Sequence, residues 1–157
     1  MRVAFGCDHG GYPFRTLIVE YLKANGHTVV DCGAYEMIPT DDYPDYARAV
    51  GEAVQRGDAD RGILVCGSGV GAAIAACKMT GIRAGLAHDY YSAHQGVEHD
   101  NMNVLALGAR VIGPSLATEL VGGFLRAQFT GEPRHARRLA KVQQMEAEAH
   151  EQVSGSR

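Results

Sequence analysis

The sequence offers no paired thiols. Its four cysteines, Cys7, Cys32, Cys66 and Cys77, form no CxxC pair and match no zinc-ligand spacing. That excludes a disulfide framework and a zinc ribbon, and it is the cysteine usage of a reducing compartment. There is no excess of basic charge either. Fifteen Lys and Arg stand against 18 Asp and Glu, a formal net charge of −3, so a general nucleic-acid footprint is excluded and only a local basic cluster stays open. No apolar run approaches the ~20 residues that a bilayer requires. Met1–Gly6 lacks the charged-then-apolar layout of a signal peptide. These absences predict a cytoplasmic protein with no nucleic-acid and no membrane partner.

What is present is an ordinary globular composition, 46% hydrophobic and 21% charged, over 157 residues. A chain of this size buries roughly 68–70% of its unfolded surface, so it needs no covalent or metal staple. One domain over 1–150 is expected, with 151–157 as a flexible tail. Proline is scarce at 5 and glycine abundant at 20, with many glycines beside predicted strand ends, where tight turns are needed.

Short β-rich apolar runs alternate with helical-period stretches. Strands are predicted at 3–5, 28–31, 63–65, 83–87 and 104–107. Phe14, Leu17, Ile18, Tyr21 and Leu22 follow the i, i+3, i+4, i+7, i+8 pattern of an amphipathic helix, with Pro13 in its first turn and Asn25-Gly26 at its end. Further helices are predicted over 45–56, 72–78, 93–98, 115–128 and 136–149. This alternation implies α/β architecture, a three-layer Rossmann-like sandwich around a five-stranded parallel sheet with right-handed crossovers.

In such sheets ligands bind beyond the carboxyl ends of the strands, and three polar clusters fall there: Asp8-His9, Cys66–Gly71 and His88-Asp89. The run Cys66-Gly67-Ser68-Gly69-Val70-Gly71 passes from strand to helix. Its glycines allow successive N–H groups to converge on a phosphate or a transient oxyanion, or else they serve only a tight turn. No Lys-Ser/Thr follows, which excludes a Walker A loop. The glycine spacing departs from the dinucleotide fingerprint, and Ala72 stands where a phosphatase-type loop needs arginine. A helix N-terminus would lower the thiol pKa of Cys66, although a small buried hydrophobe would also suit that position. Asp8 and His9 could hold a sugar hydroxyl or a phosphate. His99 reads either as a general acid or base or as a helix-terminal histidine favoured by the dipole. Arg134, Arg137 and Arg138 form a basic cluster suited to an anion, or a solvated helix face. Cys7, Cys32 and Cys77 read as structural, and His27, His94, His135 and His150 as surface positions.

Taken together, Gly6–Gly11, Asp42-Tyr43-Pro44, Cys66–Gly71 with Ile74–Lys78, and Asn103–Gly108 with Arg110 resemble the B-type ribose-5-phosphate isomerases. That family also holds galactose- and allose-6-phosphate isomerases. The resemblance runs in order from about residue 1 to 148. It implies interconversion of ribose 5-phosphate and ribulose 5-phosphate through an enediolate, without a cofactor or metal. Cys66 would be the base, and His99 the acid that opens the ring. Gly67, Ser68, Gly69, Val70 and Gly71 would hold the enediolate oxygens. Asp8, His9 and Asp100 would contact the substrate, and Arg110, Arg134 and Arg138 its phosphate. The resemblance also implies a homodimer or a dimer of dimers, with sites at the subunit interface. Two departures stand out: Asp100 where the family has Asn, and Cys77 where it has Asn in an Ala-Ala-Asn-Lys run. An anionic Asp100 would repel a phosphate or enediolate, so either it turns away or the substrate is another sugar phosphate, such as an allose, galactose or tetrose phosphate. A noncatalytic sugar-phosphate binding module is the alternative outside enzymology; it would have no need of a base.

Overall fold

A computed structural model describes residues 1–154, the side chains of His150 and of 152–154 excepted. Five strands, β1 (Arg2–Cys7), β2 (Thr28–Asp31), β3 (Arg61–Cys66), β4 (Ala84–Leu86) and β5 (Val104–Gly108), form one sheet. Every neighbouring pair is parallel, in the order β2-β1-β3-β5-β4. The helices are α1 (Arg15–Ala24), α2 (Tyr43–Gln55), α3 (Val70–Ala76), α4 (Tyr90–Asp100), α5 (Pro114–Arg126) and α6 (Pro133–Ser154), with a short 3₁₀ turn at Tyr12–Phe14. The predicted α/β sandwich is therefore the observed one.

The central strands are buried on both faces, which is why they read as unbroken apolar runs. Alternate residues of each strand face opposite ways. Val3, Phe5, Ile63, Val65, Leu105 and Leu107 pack with Ile18, Leu22, Val97, Leu120 and Phe124, so α1, α4 and α5 cover one face. Ala4, Leu64, Cys66, Val104 and Ala106 pack with Ala47, Val50, Ala72 and Ala76, so α2 and α3 cover the other.

Several boundaries differ from the sequence reading. The Asp89 side chain accepts the Ser92 N–H at 2.8 Å, and this N-cap starts α4 three residues earlier than the apolar period suggests. The helix α3 begins at Val70, directly after Gly69 in the left-handed region at φ 81°. Most consequentially, α6 continues to Ser154 instead of stopping at 149, because no glycine or proline interrupts residues 134–154. The expected flexible tail is thus helical over 151–154, and residues 155–157 lie outside the described residues. No helix of the described chain is long and apolar enough to cross a membrane.

Chain reversal occurs between β1 and β3, since β2 lies on one side of β1 and β3, β5 and β4 lie on the other. That is the switch point at which a crevice opens. Its walls come very close: a Cβ on Gly11 would lie 1.9 Å from the Val65 carbonyl oxygen, so only glycine lets the turn after β1 cross the end of β3.

Candidate active site

The loops after β1, β3 and β5 meet at this switch point. Asp8, His9, Gly10, Cys66, Gly67, Ser68, Arg110 and Val111 line a cavity of about 330 Å³ there. The register explains the meeting. Cys7 pairs with Val65 and Cys66 with Gly108, so all three strands end at one level. Because β5 lies between β3 and β4, Arg110 follows the strand next to Cys66, and its N–H donates to the Gly67 carbonyl at 3.0 Å.

Within the cavity Asp8 is buried, and its Oδ1 accepts the Gly11 N–H at 2.9 Å, which closes the turn. The same carboxylate lines the cavity beside Cys66. Cys66 is not the acidified thiol that its place before a helix suggests. Burial pushes its pKa above the ordinary cysteine value, the Asp8 carboxylate pushes the same way, and the N–H groups of Gly69 and Ser68 only partly oppose them.

The Gly-rich loop divides its tasks. Gly67 and Ser68 line the cavity. The Val70 N–H is taken by Ser68 Oγ at 3.3 Å, and the Val70 side chain faces outward. A Cβ at Gly71 would meet the Tyr43 ring, so that glycine makes room for packing. Gly69, Val70 and Gly71 do not line the cavity.

His99, Asp100, Arg134 and Arg138 do not join it either. After His88, whose Nε2 accepts the Gly108 N–H at 2.9 Å at the carboxyl edge, α4 carries the chain back to the opposite edge, where β5 begins. Eleven residues of helix span about 16 Å. His99 sits in the last turn of α4, its Nδ1 hydrogen-bonded to Gln95 Nε2 at 2.8 Å. Its ring stacks on that of His135 at 4.0 Å between centroids. Arg134 pairs with Glu132 at 3.0 Å on the exposed start of α6. Asp100 and Arg138 line a separate groove between β4 and α6, about 760 Å³ in volume, together with Leu86, Met102 and Val142. Arg137 is exposed.

Several groups escaped the sequence reading. His135 is not a surface residue: it is 1% exposed, held by Thr130 Oγ1 at 2.7 Å, and its buried Nε2 has no partner among the described residues. Burial, then the nearby His99 and Arg134 charges, lower its pKa. His27 and His94 are half-buried, and the side chain of His150 lies outside the described residues. His88 and Asp89, the third strand-end cluster of the sequence, do not line the cavity, and burial lowers the pKa of His88. Asp41, in the loop before α2, binds His9 and carried no motif of its own; its only signal was the neighbouring Asp42-Tyr43-Pro44. Among the described residues no group of three or more His, Cys, Asp or Glu is arranged to hold a metal ion.

Comparison with known proteins agrees with this architecture. Residues 3–142 match the family described as Ribose/Galactose Isomerase. The ribose-5-phosphate isomerase B of Escherichia coli (strain K12) is 44% identical over 145 residues, covering 92% of this chain and 96% of that protein. A D-erythrulose-4-phosphate isomerase of Pectobacterium atrosepticum is 43% identical over 134 residues, 83% of this chain and 86% of that one. Among solved structures, ribose-5-phosphate isomerase B of Clostridium thermocellum superposes with a TM-score of 0.91 at 43% identity, covering 95% of this chain and 99% of that one. With its fold, its motifs and most of its length in common with these proteins, the chain belongs to the ribose/galactose isomerase family and is an enzyme of the isomerase class.

Proposed function

We propose that the enzyme interconverts ribose 5-phosphate and ribulose 5-phosphate through an enediolate. The observation that carries this reading is the Cys66 thiol in one cavity with the buried Asp8 carboxylate, His9 and Arg110. Aldose–ketose interchange needs one base beside the carbon that loses its proton, donors for the developing oxyanion, and a grip on the remote phosphate. Cys66 as thiolate would take the proton from one carbon and return it to the neighbouring one. Because its thiol pKa is raised, turnover should climb with pH as the thiolate fraction grows.

His99 is the acid in this reading, and it lies at the opposite edge of the sheet from Cys66 in the same chain. A second subunit is therefore part of the proposal: its His99, Arg134 and Arg138 would complete the cavity of the first, in a two-fold homodimer with two equivalent sites. Asp100 faces the groove that Arg138 also lines, where a cation is at hand to offset its charge.

The test is interconversion of the two pentose phosphates by wild type, Cys66→Ala and Cys66→Ser, with D-erythrulose 4-phosphate and galactose 6-phosphate as parallel substrates. Turnover of the pentose that collapses in both variants supports the reading. Turnover of the tetrose phosphate alone moves the substrate and keeps the base. Equal turnover by all three proteins removes Cys66 from the chemistry.

A further inference from the structure

The histidine in the cavity is gripped from behind by a residue with no assigned task. The Oδ1 of Asp41 accepts two hydrogen bonds from His9, one from its backbone N–H at 3.0 Å and one from ring Nδ1 at 2.6 Å. The Asp41 side chain is 8% exposed, whereas that of His9 is 34% exposed and lines the cavity with Cys66. Burial by itself would raise the Asp41 carboxyl. The His9 backbone and ring, with the neighbouring Tyr46 phenol, outweigh it and hold the carboxyl below the usual range. On the other side of the pair, burial first and the Asp41 carboxylate second push the Tyr46 phenol up to about 12. Asp41 is therefore a carboxylate over the working pH range, and a carboxylate can only accept. The proton at the 2.6 Å contact must sit on His9 Nδ1.

We propose that Asp41 is a positioning residue that fixes His9 in its Nδ1–H form and presents Nε2 to the substrate. This rests on the proposed function for the identity of the bound molecule, but not for the hydrogen-bond arrangement. With Nδ1 committed, Nε2 is the one ring nitrogen free to respond to the cavity: it accepts from a sugar hydroxyl when His9 is neutral and donates to a phosphate oxygen when it is charged. No ring flip can exchange the two nitrogens while Asp41 holds both the ring and the backbone of the same residue. The contact spans 32 positions of sequence, so it also ties the loop before α2 to the floor of the cavity.

The experiment compares wild type with Asp41→Ala and Asp41→Asn in two readouts. Ring-nitrogen NMR of wild type should show the neutral His9 ring with a protonated Nδ1 and a bare Nε2. Asp41→Ala should revert toward the Nε2–H form that unrestrained histidine prefers. An asparagine keeps an acceptor oxygen at the same place, so Asp41→Asn should retain the Nδ1–H form. For the pentose phosphate, Asp41→Ala should raise KM about tenfold with kcat within about threefold, and Asp41→Asn should recover most of the loss. In a His9→Ala background the alanine change at 41 should add nothing to KM. An Nε2–H His9 in wild type would overturn the proposal, as would an unchanged KM in Asp41→Ala or a full additional loss in the double variant. Should Asp41→Ala fail to fold, the wild-type and Asp41→Asn spectra decide alone. A wild type inactive on every sugar phosphate would instead sink the proposed function, and the spectra would still report whether Asp41 holds His9.

Discussion

The two edges of the sheet are built in different ways. At the carboxyl edge, loops after three strands converge on one small cavity, its acidic group is buried, and Asp8 and His9 are held by a backbone N–H and by Asp41. At the amino edge, His99, Arg134 and Arg138 ride on helices, and the two arginines are exposed. In the proposed mechanism the first edge supplies the base, Cys66, with Arg110 and His9 as its groups for an anion, and the second supplies the acid, His99, with the two arginines. On that proposal one chain holds two unlike half-sites, which only a two-fold assembly would bring together.

The sharpest way to break that comparison is to destroy one half-site in each of two proteins. Cys66→Ala and His99→Ala should each lose about 10³-fold or more in kcat, a barrier change of about 4 kcal/mol. Refolded together in equal amounts, they should recover about a quarter of wild-type activity, because half of the dimers pair unlike chains and each of those contains one intact site. No recovery on mixing would place both residues in the same subunit's site, or remove one of them from catalysis.

Next in size is a stability contrast. Gly11→Ala forces a methyl against the backbone of β3 at 1.9 Å and should cost about 3 kcal/mol or more in denaturant unfolding. Gly57→Ala, at φ 74° with open space around it, should cost only about 1 kcal/mol. Equal costs would show that the tight crossing at the carboxyl edge is not what organises it.

Smaller still are the proposed phosphate contacts. Arg110→Met and Arg138→Met, one from each edge, should each raise KM about tenfold, or 1.4 kcal/mol. An effect of Arg110 alone would confine phosphate binding to the carboxyl edge. The last effect is a shift and not a loss. Asp8 helps to raise the Cys66 pKa, so Asp8→Asn should move the pH dependence of Cys66 alkylation by iodoacetamide to lower pH. A thiol is neutral when protonated, and removing a nearby anion favours its ionised form. An unmoved profile would leave burial as the sole cause.

Much of this protein was legible in its sequence. The five strands and six helices follow from apolar period and from Gly and Pro punctuation, and the clusters at 8–9 and 66–68 stand where strand ends should carry ligands. Local order decides such features, because turn chemistry and periodicity act over a few residues. Other features depended on which distant residues the fold brings together. The insertion of β5 between β3 and β4 puts Arg110 beside Gly67. Burial outweighs the N–H groups of Gly69 and Ser68 at Cys66. Packing of α6 against α4 conceals His135, whose exposure no local pattern reveals. The direction of α4 sends His99 to the far edge, and a loop 32 residues away brings Asp41 to His9. Each of these is a matter of solvent exclusion or of contact across the chain. Such quantities belong to the folded arrangement of the whole sequence and not to any segment of it.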